Sequence, residues 1–204
     1  MTAAFDFIFM ADCQLGAYAT FSGMTEADIE RFEARDMRVE VVPQVEGFTW
    51  DAERYSEAVT AANALRPAFV VMGGDMIDDS ESQEQYDAVM TITSDLDDEI
   101  TMHWVPGNHD IADDTVVPTP ARIAKYREAF GADYYSFDHG DVRFIVLNTV
   151  VIDHPEDSGD ALAVGTGLGG GQGRAAARRA ARLLPGRGRR LGALPRHPRT
   201  AEAA

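Results

Sequence analysis

The chain is expected to form an α/β fold, a single domain in which helices connect the strands of a parallel sheet. Three observations predict this class. Apolar segments of strand length alternate with segments whose apolar residues recur at helical spacing, in the order βαβαβ. Each predicted strand runs directly into a polar or glycine-rich loop, where α/β folds place binding groups. A length of 204 residues and a hydrophobic fraction of 45% suit one domain with a substantial core.

The first two predicted elements are separated by an irregular segment. Residues 5–10 are apolar enough for a buried first strand, and the loop 11–16 follows it. Residues 17–50 contain proline and glycine and only one short helical pattern, at residues 26–35. We interpret residues 17–50 as an insertion between the first strand and the first main helix.

The next segment supplies two helices and two strands. Apolar residues recur at helical spacing from residue 51 until Pro67 ends the pattern, and residues 68–72 read as a buried second strand. A second helical face runs through residues 86–96, and residues 100–105 form the third strand. This alternation indicates two parallel crossover units.

A capped helix and a hairpin follow. Thr119 is placed as an N-cap before a proline, and Gly131 is placed to stop the helix. Residues 134–137 and 142–147 alternate as strands, and the turn-rich residues 138–141 between them predict a hairpin.

The charge of the chain is divided between two regions. Residues 1–163 hold 33 acidic and 9 basic residues, a net charge of −24, whereas residues 164–204 hold 1 and 9, a net charge of +8. An acidic body repels nucleic acid, so no nucleic-acid partner is expected. A phosphorylated substrate would require bound cations to reverse the local field.

The last region differs from the rest in composition. Among residues 165–204, Ala, Arg and Gly contribute nine residues each and Pro three, with no aromatic residue, Val, Ile or Asp. We therefore divide the chain into a folded domain, residues 1–163, and a low-complexity tail, residues 164–204. A disordered basic tail, an Ala/Arg helix around residues 174–184 and an out-of-frame C-terminus compete as explanations. The GC-rich codons of these residues and the charge reversal favour the last.

The sequence also bears on where in the cell the protein is expected. No apolar segment approaches the roughly 20 residues that span a bilayer, so no membrane partner is expected. Asp6 and Asp12 interrupt the N-terminal apolar segment, which lacks a basic region before it, so a signal peptide is not expected. The single cysteine, Cys13, suits a reducing compartment. We expect a cytoplasmic protein and make no prediction of its oligomeric state.

Metal-competent side chains follow all three predicted strands. Asp12 follows the first strand, Asp75 the second, and Asn108 and His109 the third. Two divalent ions held roughly 3.5–4 Å apart can bind a phosphoryl group and stabilise its leaving oxygen, which requires hard ligands and a bridging carboxylate. Asp75 is the natural bridge, Asn108 offers an amide oxygen, and His109 could protonate the leaving group if a carboxylate held its tautomer.

These residues form a recognisable pattern over roughly residues 5–153. The chain resembles the calcineurin-like metallophosphoesterases, whose pattern is Asp-x-His, Gly-Asp-x-x-Asp and Gly-Asn-His-Asp/Glu, followed by a histidine-bearing strand and Gly-His-x-His. The first three blocks are matched here. A subgroup, that of the calcineurin-like phosphoesterase domain-containing protein 1, begins with Asp-x-Gln and has a similar aromatic hairpin ending in Leu-Asn. The matching segments here are Asp12-Cys13-Gln14, Gly74-Asp75-Met76-Ile77-Asp78, Gly107-Asn108-His109-Asp110, residues 132–137 and Val146-Leu147-Asn148.

The resemblance implies a fold and a set of roles. The fold would be a calcineurin-like four-layer αββα sandwich, incomplete at its C-terminus. The cofactor would be two divalent metal ions, of Mn, Fe, Zn or Mg, and the substrate a phosphomonoester, either a small molecule or a phosphoprotein carrying phosphoserine or phosphothreonine. The implied roles are Asp12 and Asp75 at the first metal, Asp75 and Asn108 at the second, Gln14 as a further ligand, His109 as the acid and Asp78 behind it.

Two departures from the family pattern leave an alternative open. Gln14 stands where most members have histidine, although the subgroup shares the glutamine. No Gly-His-x-His pattern follows the hairpin, and the later histidines are His154 and His197. The alternative is therefore a catalytically silent acidic domain that binds metal weakly or serves in interactions.

Several nearby residues receive structural interpretations. Asp110 is assigned to hydrogen bonding within its loop, and Asp79 competes with Asp78 for the place behind His109. Asn148 is assigned mainly to structure. Surface or turn positions are expected for His103, His139 and His154, and a packing role for Cys13.

Overall fold

The computed structural model describes residues 4–112 and 117–153. Its centre is a parallel sheet of three strands in the order β1 (Ile8–Met10), β2 (Phe69–Met72) and β3 (Thr101–Trp104). Val70 of β2 lies opposite Ile8 on one side and Met102 on the other. The predicted α/β class with a parallel sheet is confirmed, and the carboxyl ends of all three strands meet at one edge.

Helices connect the strands and extend beyond them. The helices of the described residues are α1 (Ala17–Thr20), α2 (Glu26–Glu33), α3 (Thr49–Leu65), α4 (Gln83–Thr93), α5 (Asn108–Ile111), α6 (Pro120–Phe130) and α7 (Thr149–Asp153). The predicted helices of the insertion, of both crossovers and of the capped segment correspond to α2, α3, α4 and α6. None of the helices described here has the length and apolar character needed to cross a bilayer.

One face of the parallel sheet is covered by helices. Val70 and Met72 of β2 belong to the same buried cluster as Val59 of α3 and Val89 of α4. The hydroxyl groups of Tyr55 and Thr93 lie 2.6 Å apart and join α3 to α4. Alternate residues of β2 therefore point into the helical layer, as the period of two along a strand requires.

The opposite face is covered by an antiparallel hairpin of β4 (Tyr135–His139) and β5 (Val142–Val146). The ring of Phe69 lies 5.2 Å from that of Phe137 and 5.0 Å from that of Phe144, measured between centroids. The described residues therefore form three stacked layers: helices, the parallel sheet and the hairpin.

The first strand differs from its prediction. Only residues 8–10 are a strand, although the N–H of Ala68 still donates to the carbonyl of Asp6 at 2.8 Å. The prediction that this strand is buried was wrong: Ile8 and Met10 are half-buried, and Phe7 and Phe9 are 44% and 64% exposed. Since β1 is an edge strand that the hairpin covers incompletely, the face with Phe7 and Phe9 stays partly open among the described residues.

Two histidines also lie where the sequence did not place them. His103 lies within β3, and its ring stacks on Phe137 at 3.4 Å between centroids, so burial lowers its pKa. His139 is the last residue of β4, and the centroid of its ring lies 4.4 Å from that of Phe5. Both were expected at the surface or in turns, and the predicted four-residue turn is shorter because β4 continues through His139. Alternation of polar and aromatic residues in β4 places His139 on the face that meets the parallel sheet.

The capped helix follows its prediction closely. The Thr119 hydroxyl accepts a hydrogen bond from the N–H of Arg122 at 3.3 Å, and Pro120 is the first helical residue. Gly131 ends α6 with a φ of 89°, a left-handed value that favours glycine. The predicted boundary between residues 163 and 164, the tail and His154 lie outside the described residues.

Candidate functional site

The loops after β1 and β2 continue the pairing of their strands. The N–H of Asp12 donates to the carbonyl of Gly74 at 3.0 Å, and the N–H of Gln14 donates to the carbonyl of Asp75 at 2.9 Å. These bonds hold the two loops side by side for several residues beyond the sheet. Asp12 and Asp75 are therefore brought together by backbone pairing, which fixes their spacing before any ion binds.

Three residues of these loops have unusual backbone conformations. Asp12, Gln14 and Asp75 have φ values of 59°, 30° and 51°, and they are three of the five non-glycine residues with positive φ in the described chain. Such a conformation costs roughly 1–3 kcal/mol per residue and persists only where the surroundings impose it. Because strain of this kind concentrates at functional sites, its clustering here marks these two loops as the candidate site.

The loop after β3 is tied to the loop after β2 by a buried carboxylate. The Asp110 side chain is fully buried and accepts hydrogen bonds from the N–H groups of Asp75 at 3.0 Å, Met76 at 2.8 Å and Gly107 at 2.7 Å. Burial raises the pKa of Asp110 to about 7, the nearby Asp75 charge adds to the rise, and the hydrogen bonds oppose it. Asp110 thus fixes the loop, the role that the sequence favoured for it.

Glycine allows these two loops to meet. Gly74 has a φ of 105°, and a Cβ at this position would lie 2.8 Å from the backbone of Gly107. A Cβ on Gly107 would in turn collide with the backbone and carboxylate of Asp75. Side chains at either position would push the loops apart, so both glycines are required for the close approach.

His109 is held from two directions. Its backbone N–H donates to Oδ1 of Asp75 at 3.0 Å, and its ring Nδ1 lies 3.0 Å from the carbonyl oxygen of Asp78. Because a carbonyl oxygen can only accept, Nδ1 carries the hydrogen in this arrangement. Nε2 is then the ring nitrogen through which an imidazole in this tautomer can exchange a proton.

The carboxylate of Asp78 also faces the imidazole. Its Oδ1 lies 3.5 Å from Nδ1 of His109, with the two side chains 16% and 21% exposed. Asp79 instead accepts a hydrogen bond from the N–H of Glu81 at 2.9 Å. Asp78 and Asp79 were both candidates for the carboxylate behind His109, and it is Asp78 that lies next to the imidazole.

Gln14 lies at the site, and its side-chain amide already forms a hydrogen bond with Asp78. Its Nε2 donates to Oδ1 of Asp78 at 3.0 Å. The amide oxygen is the atom that a metal would use, so the hydrogen bond and ligation involve different atoms of the same side chain. Asn108, half-buried, begins the short helix α5 next to His109.

The donor set can be compared with the chemistry of divalent ions. Asp12 and Asp75 offer carboxylates, and Gln14 and Asn108 offer amide oxygens; these are hard donors that suit Mg²⁺ or Mn²⁺. Within residues 4–112 and 117–153, no group of three or more His, Cys, Asp or Glu side chains is arranged to hold a metal ion. The donors therefore fit a divalent ion in kind, and the amides must contribute to any site formed by the described residues.

Two neighbouring residues serve the fold. The Cys13 thiol donates to the carbonyl of Met76 at 3.4 Å, and burial raises its pKa to about 12, so it is no thiolate nucleophile. Asn148 is fully buried, donates to Asp133 at 3.0 Å and accepts from the N–H of Val151 at 3.1 Å. The packing and structural interpretations of Cys13 and Asn148 agree with these contacts.

Two residues at the site carry no signal in the sequence. Oδ2 of Asp51 accepts a hydrogen bond from the N–H of Gly16 at 2.9 Å and anchors the end of the first loop. The hydroxyl of Thr20 donates to Oδ2 of Asp78 at 2.7 Å. Asp51 reads as an ordinary residue of the first turn of a helix, and Thr20 lies in the irregular insertion, so no pattern distinguishes either.

The chain is similar in sequence to curated phosphatases from several vertebrates. It is 37% identical over 111 residues to the serine/threonine-protein phosphatase CPPED1 of Bos taurus, covering 50% of this chain and 34% of the relative. It is 34% identical over 117 residues to the protein of the same name from Homo sapiens, covering 53% of this chain and 36% of the relative. The chain thus spans about a third of the length of the curated relatives it matches.

Two solved structures resemble the chain more distantly. A dimetal phosphatase from Danio rerio has a TM-score of 0.44 and 18% identity, with 86% of this chain and 50% of that chain covered. A purple acid phosphatase from yellow lupin has a TM-score of 0.39 and 13% identity, with 72% of this chain and 24% of that chain covered.

The family model described as calcineurin-like phosphoesterase matches residues 6–169, which include all three strand-end loops. That match covers well over half of the chain. The chain belongs to the calcineurin-like phosphoesterase family.

Proposed function

We propose that this chain hydrolyses phosphoric esters with the help of divalent metal ions held at the three strand-end loops. The observation that carries the proposal is the joint placement of two strained, metal-competent loops and an imidazole whose Nδ1 faces the carbonyl and carboxylate of Asp78. Positive φ also occurs outside the site, at Asp36 and Arg66, so it is the combination with the oriented imidazole that distinguishes these loops. Family membership supplies the reaction class.

Each residue has a distinct part in this proposal. Asp12 and Asp75 would hold metal through their carboxylates, Asp75 would be shared between two ions, and Gln14 and Asn108 would add amide oxygens. When bound there, divalent ions would supply positive charge for the phosphoryl oxygens and a more acidic water. His109 donates a proton from Nε2 to the leaving oxygen, while Asp78 keeps Nδ1 protonated and stabilises the imidazolium form.

The substrate class follows from charge and from the relatives. A body with a net charge of −24 over residues 1–163 attracts a phosphorylated substrate only when bound cations reverse the field at the site. The relatives are named serine/threonine-protein phosphatases, which favours phosphomonoesters of serine or threonine as substrates. We place the reaction in the cytoplasm, where a lone cysteine stays reduced.

The test is hydrolysis of p-nitrophenyl phosphate by the full chain with Mn²⁺, Mg²⁺, Zn²⁺ or Fe²⁺, compared with an Asp75→Asn variant. We expect turnover in the wild type and its loss in the variant, because the bridging carboxylate becomes neutral. Asp98→Asn, a substitution at an exposed carboxylate outside the site, is the matched control. Equal rates for wild type and Asp75→Asn would contradict the proposal.

A second function is supported by a separate observation. Gln14 stands where most family members have histidine, and its neutral amide oxygen is a weaker ligand, which favours a catalytically silent domain that binds metal weakly or acts in interactions. Calorimetric titration with Mn²⁺ separates the two. Metal binding that depends on Asp75 without any turnover would support the silent domain and reject the enzyme.

A further inference from the structure

Thr20, the last residue of α1, lies against the carboxylate that faces His109. We propose that Thr20 is a positioning residue for the Asp78–His109 pair. This inference rests on the proposed function, in which His109 is the acid. It gives the insertion between β1 and α3 a part in the reaction.

The two oxygens of Asp78 have different donors. Oδ2 accepts the Thr20 hydroxyl at 2.7 Å, and Oδ1 accepts Nε2 of Gln14 at 3.0 Å. A carboxylate with one donor can rotate about its last torsion, whereas one held at both oxygens has a fixed plane. The ring of His109 is held by the carbonyl of Asp78, and the plane of the Asp78 carboxylate determines where its negative charge lies relative to Nδ1, 3.5 Å away. Thr20 and Gln14 together therefore fix the position of that charge beside the imidazole.

The hydroxyl of Thr20 has a second possible acceptor. It lies 3.3 Å from the carbonyl oxygen of Gly16, four residues earlier, the acceptor that threonine commonly uses within a helix. A hydroxyl has one hydrogen to donate, and the shorter contact, at 2.7 Å, is with the charged acceptor Asp78. The hydrogen bond to Asp78 is therefore the dominant one, and the local helical bond is the weaker alternative.

The surrounding fold delivers Thr20 to this position. Helix α1 has only four residues and cannot be stable alone. Its start is anchored because the N–H of Gly16 donates to Asp51 of α3 at 2.9 Å. A Cβ on Gly16 would lie 3.2 Å from Cβ of Asp78, so the glycine lets the helix approach the carboxylate closely enough for Thr20 to reach it.

Leaving-group chemistry provides the test. p-Nitrophenolate departs without a proton, whereas an alkoxide such as that of phosphoserine requires one. For the full chain with Mn²⁺, we expect Thr20→Val to lower kcat about tenfold on a phosphoserine peptide with KM unchanged, and to leave p-nitrophenyl phosphate hydrolysis nearly unaffected. Thr20→Ser keeps the hydroxyl and should restore the peptide rate.

Thr91 offers a matched control. Its hydroxyl donates to the carbonyl four residues earlier, at Asp87, at 2.7 Å on the exposed side of α4. Thr91→Val removes the same kind of helical bond without touching Asp78, so both esters should be hydrolysed at wild-type rates. If Thr20→Val slows both esters equally, or if Thr20→Ser fails to restore the peptide rate, Thr20 serves only the fold and the inference is overturned.

A second readout needs no turnover. The ¹⁵N chemical shifts of the His109 ring report which nitrogen carries the hydrogen. In the metal-free chain we expect the Nδ1–H form in the wild type, in Thr91→Val and in Thr20→Val, with the Nδ1 signal of Thr20→Val displaced from the other two because the Asp78 carboxylate turns relative to the ring. If the wild type hydrolyses neither ester, the proposed function fails, and ring signals in Thr20→Val identical to wild type would then separately overturn the role of Thr20.

Discussion

The carboxylate of Asp110 lies 3.0 Å from the backbone N–H of Asp75, which connects two loops that follow different strands. Asp110 belongs to the loop after β3, and Asp75 to the loop after β2. The same carboxylate also receives the N–H groups of Met76 and Gly107. The buried side chain of Asp110 therefore sets the distance between Asp75, the main candidate metal ligand, and His109, the candidate acid, which precedes Asp110 in the sequence.

Replacing Asp110 with asparagine should destabilise the fold. The Asn side chain has one acceptor oxygen where the carboxylate has two, and its NH₂ group would face a backbone donor. Leaving buried N–H groups without an acceptor costs about 2–3 kcal/mol in the free energy of unfolding. Urea denaturation followed by circular dichroism measures the change. The exposed control Asp98→Asn should differ from wild type by less than about 0.5 kcal/mol, and a similar small effect for Asp110→Asn would contradict the structural role.

Much of this arrangement could be predicted from the sequence. The period of apolar residues identifies β2, α3 and α4, and each strand end then identifies a loop with polar side chains. Strand ends in a parallel sheet necessarily meet at one edge. The pairing of Asp12 with Asp75 as neighbours follows from these two facts alone.

Other features depended on contacts between segments distant in sequence. Asp78 and Asp79 are adjacent carboxylates, and only the path of the loop decides which one meets His109. Thr20 reaches Asp78 because α1 is anchored by Asp51, a contact with no periodic signature. The sequence also does not indicate that His103 packs between the parallel sheet and the hairpin. Its ring is covered by Phe137 of the hairpin, which is distant from β3 in sequence.

Substitution of Gly74 by alanine tests the close approach of the two loops. The new Cβ would meet the backbone of Gly107 at 2.8 Å in addition to the strain of a left-handed conformation. Gly47→Ala is the matched control, since Gly47 has a φ of 70° and nothing within 4 Å of an added Cβ. We expect Gly47→Ala to cost about 1 kcal/mol and Gly74→Ala about 2–3 kcal/mol more. Thermal unfolding of both variants gives the difference, and equal losses would exclude a steric role for Gly74.

The contact between the parallel sheet and the hairpin depends on Phe69. This side chain is 2% exposed, and its ring packs against the rings of Phe137 and Phe144. Phe69→Ala should lower the free energy of unfolding by about 3–5 kcal/mol, because a buried ring is replaced by a cavity. Phe9→Ala, at a position that is 64% exposed on the neighbouring strand, should cost far less. Denaturant midpoints for the two variants test this, and comparable losses would mean that Phe69 does not join the layers.

Metal binding at the strand-end loops should stabilise the folded chain. A ligand that binds only the folded state adds about 2.7 kcal/mol at a concentration one hundred times its dissociation constant. We therefore expect MnCl₂ to raise the Tm of the full chain and EDTA to reverse the rise. Asp12→Asn should abolish most of the shift, because a neutral amide replaces a charged ligand while the hydrogen bond between the backbones of Asp12 and Gly74 is retained. Asp98→Asn should keep the full shift; if Asp12→Asn keeps it as well, the ion binds elsewhere and Asp12 is not a ligand.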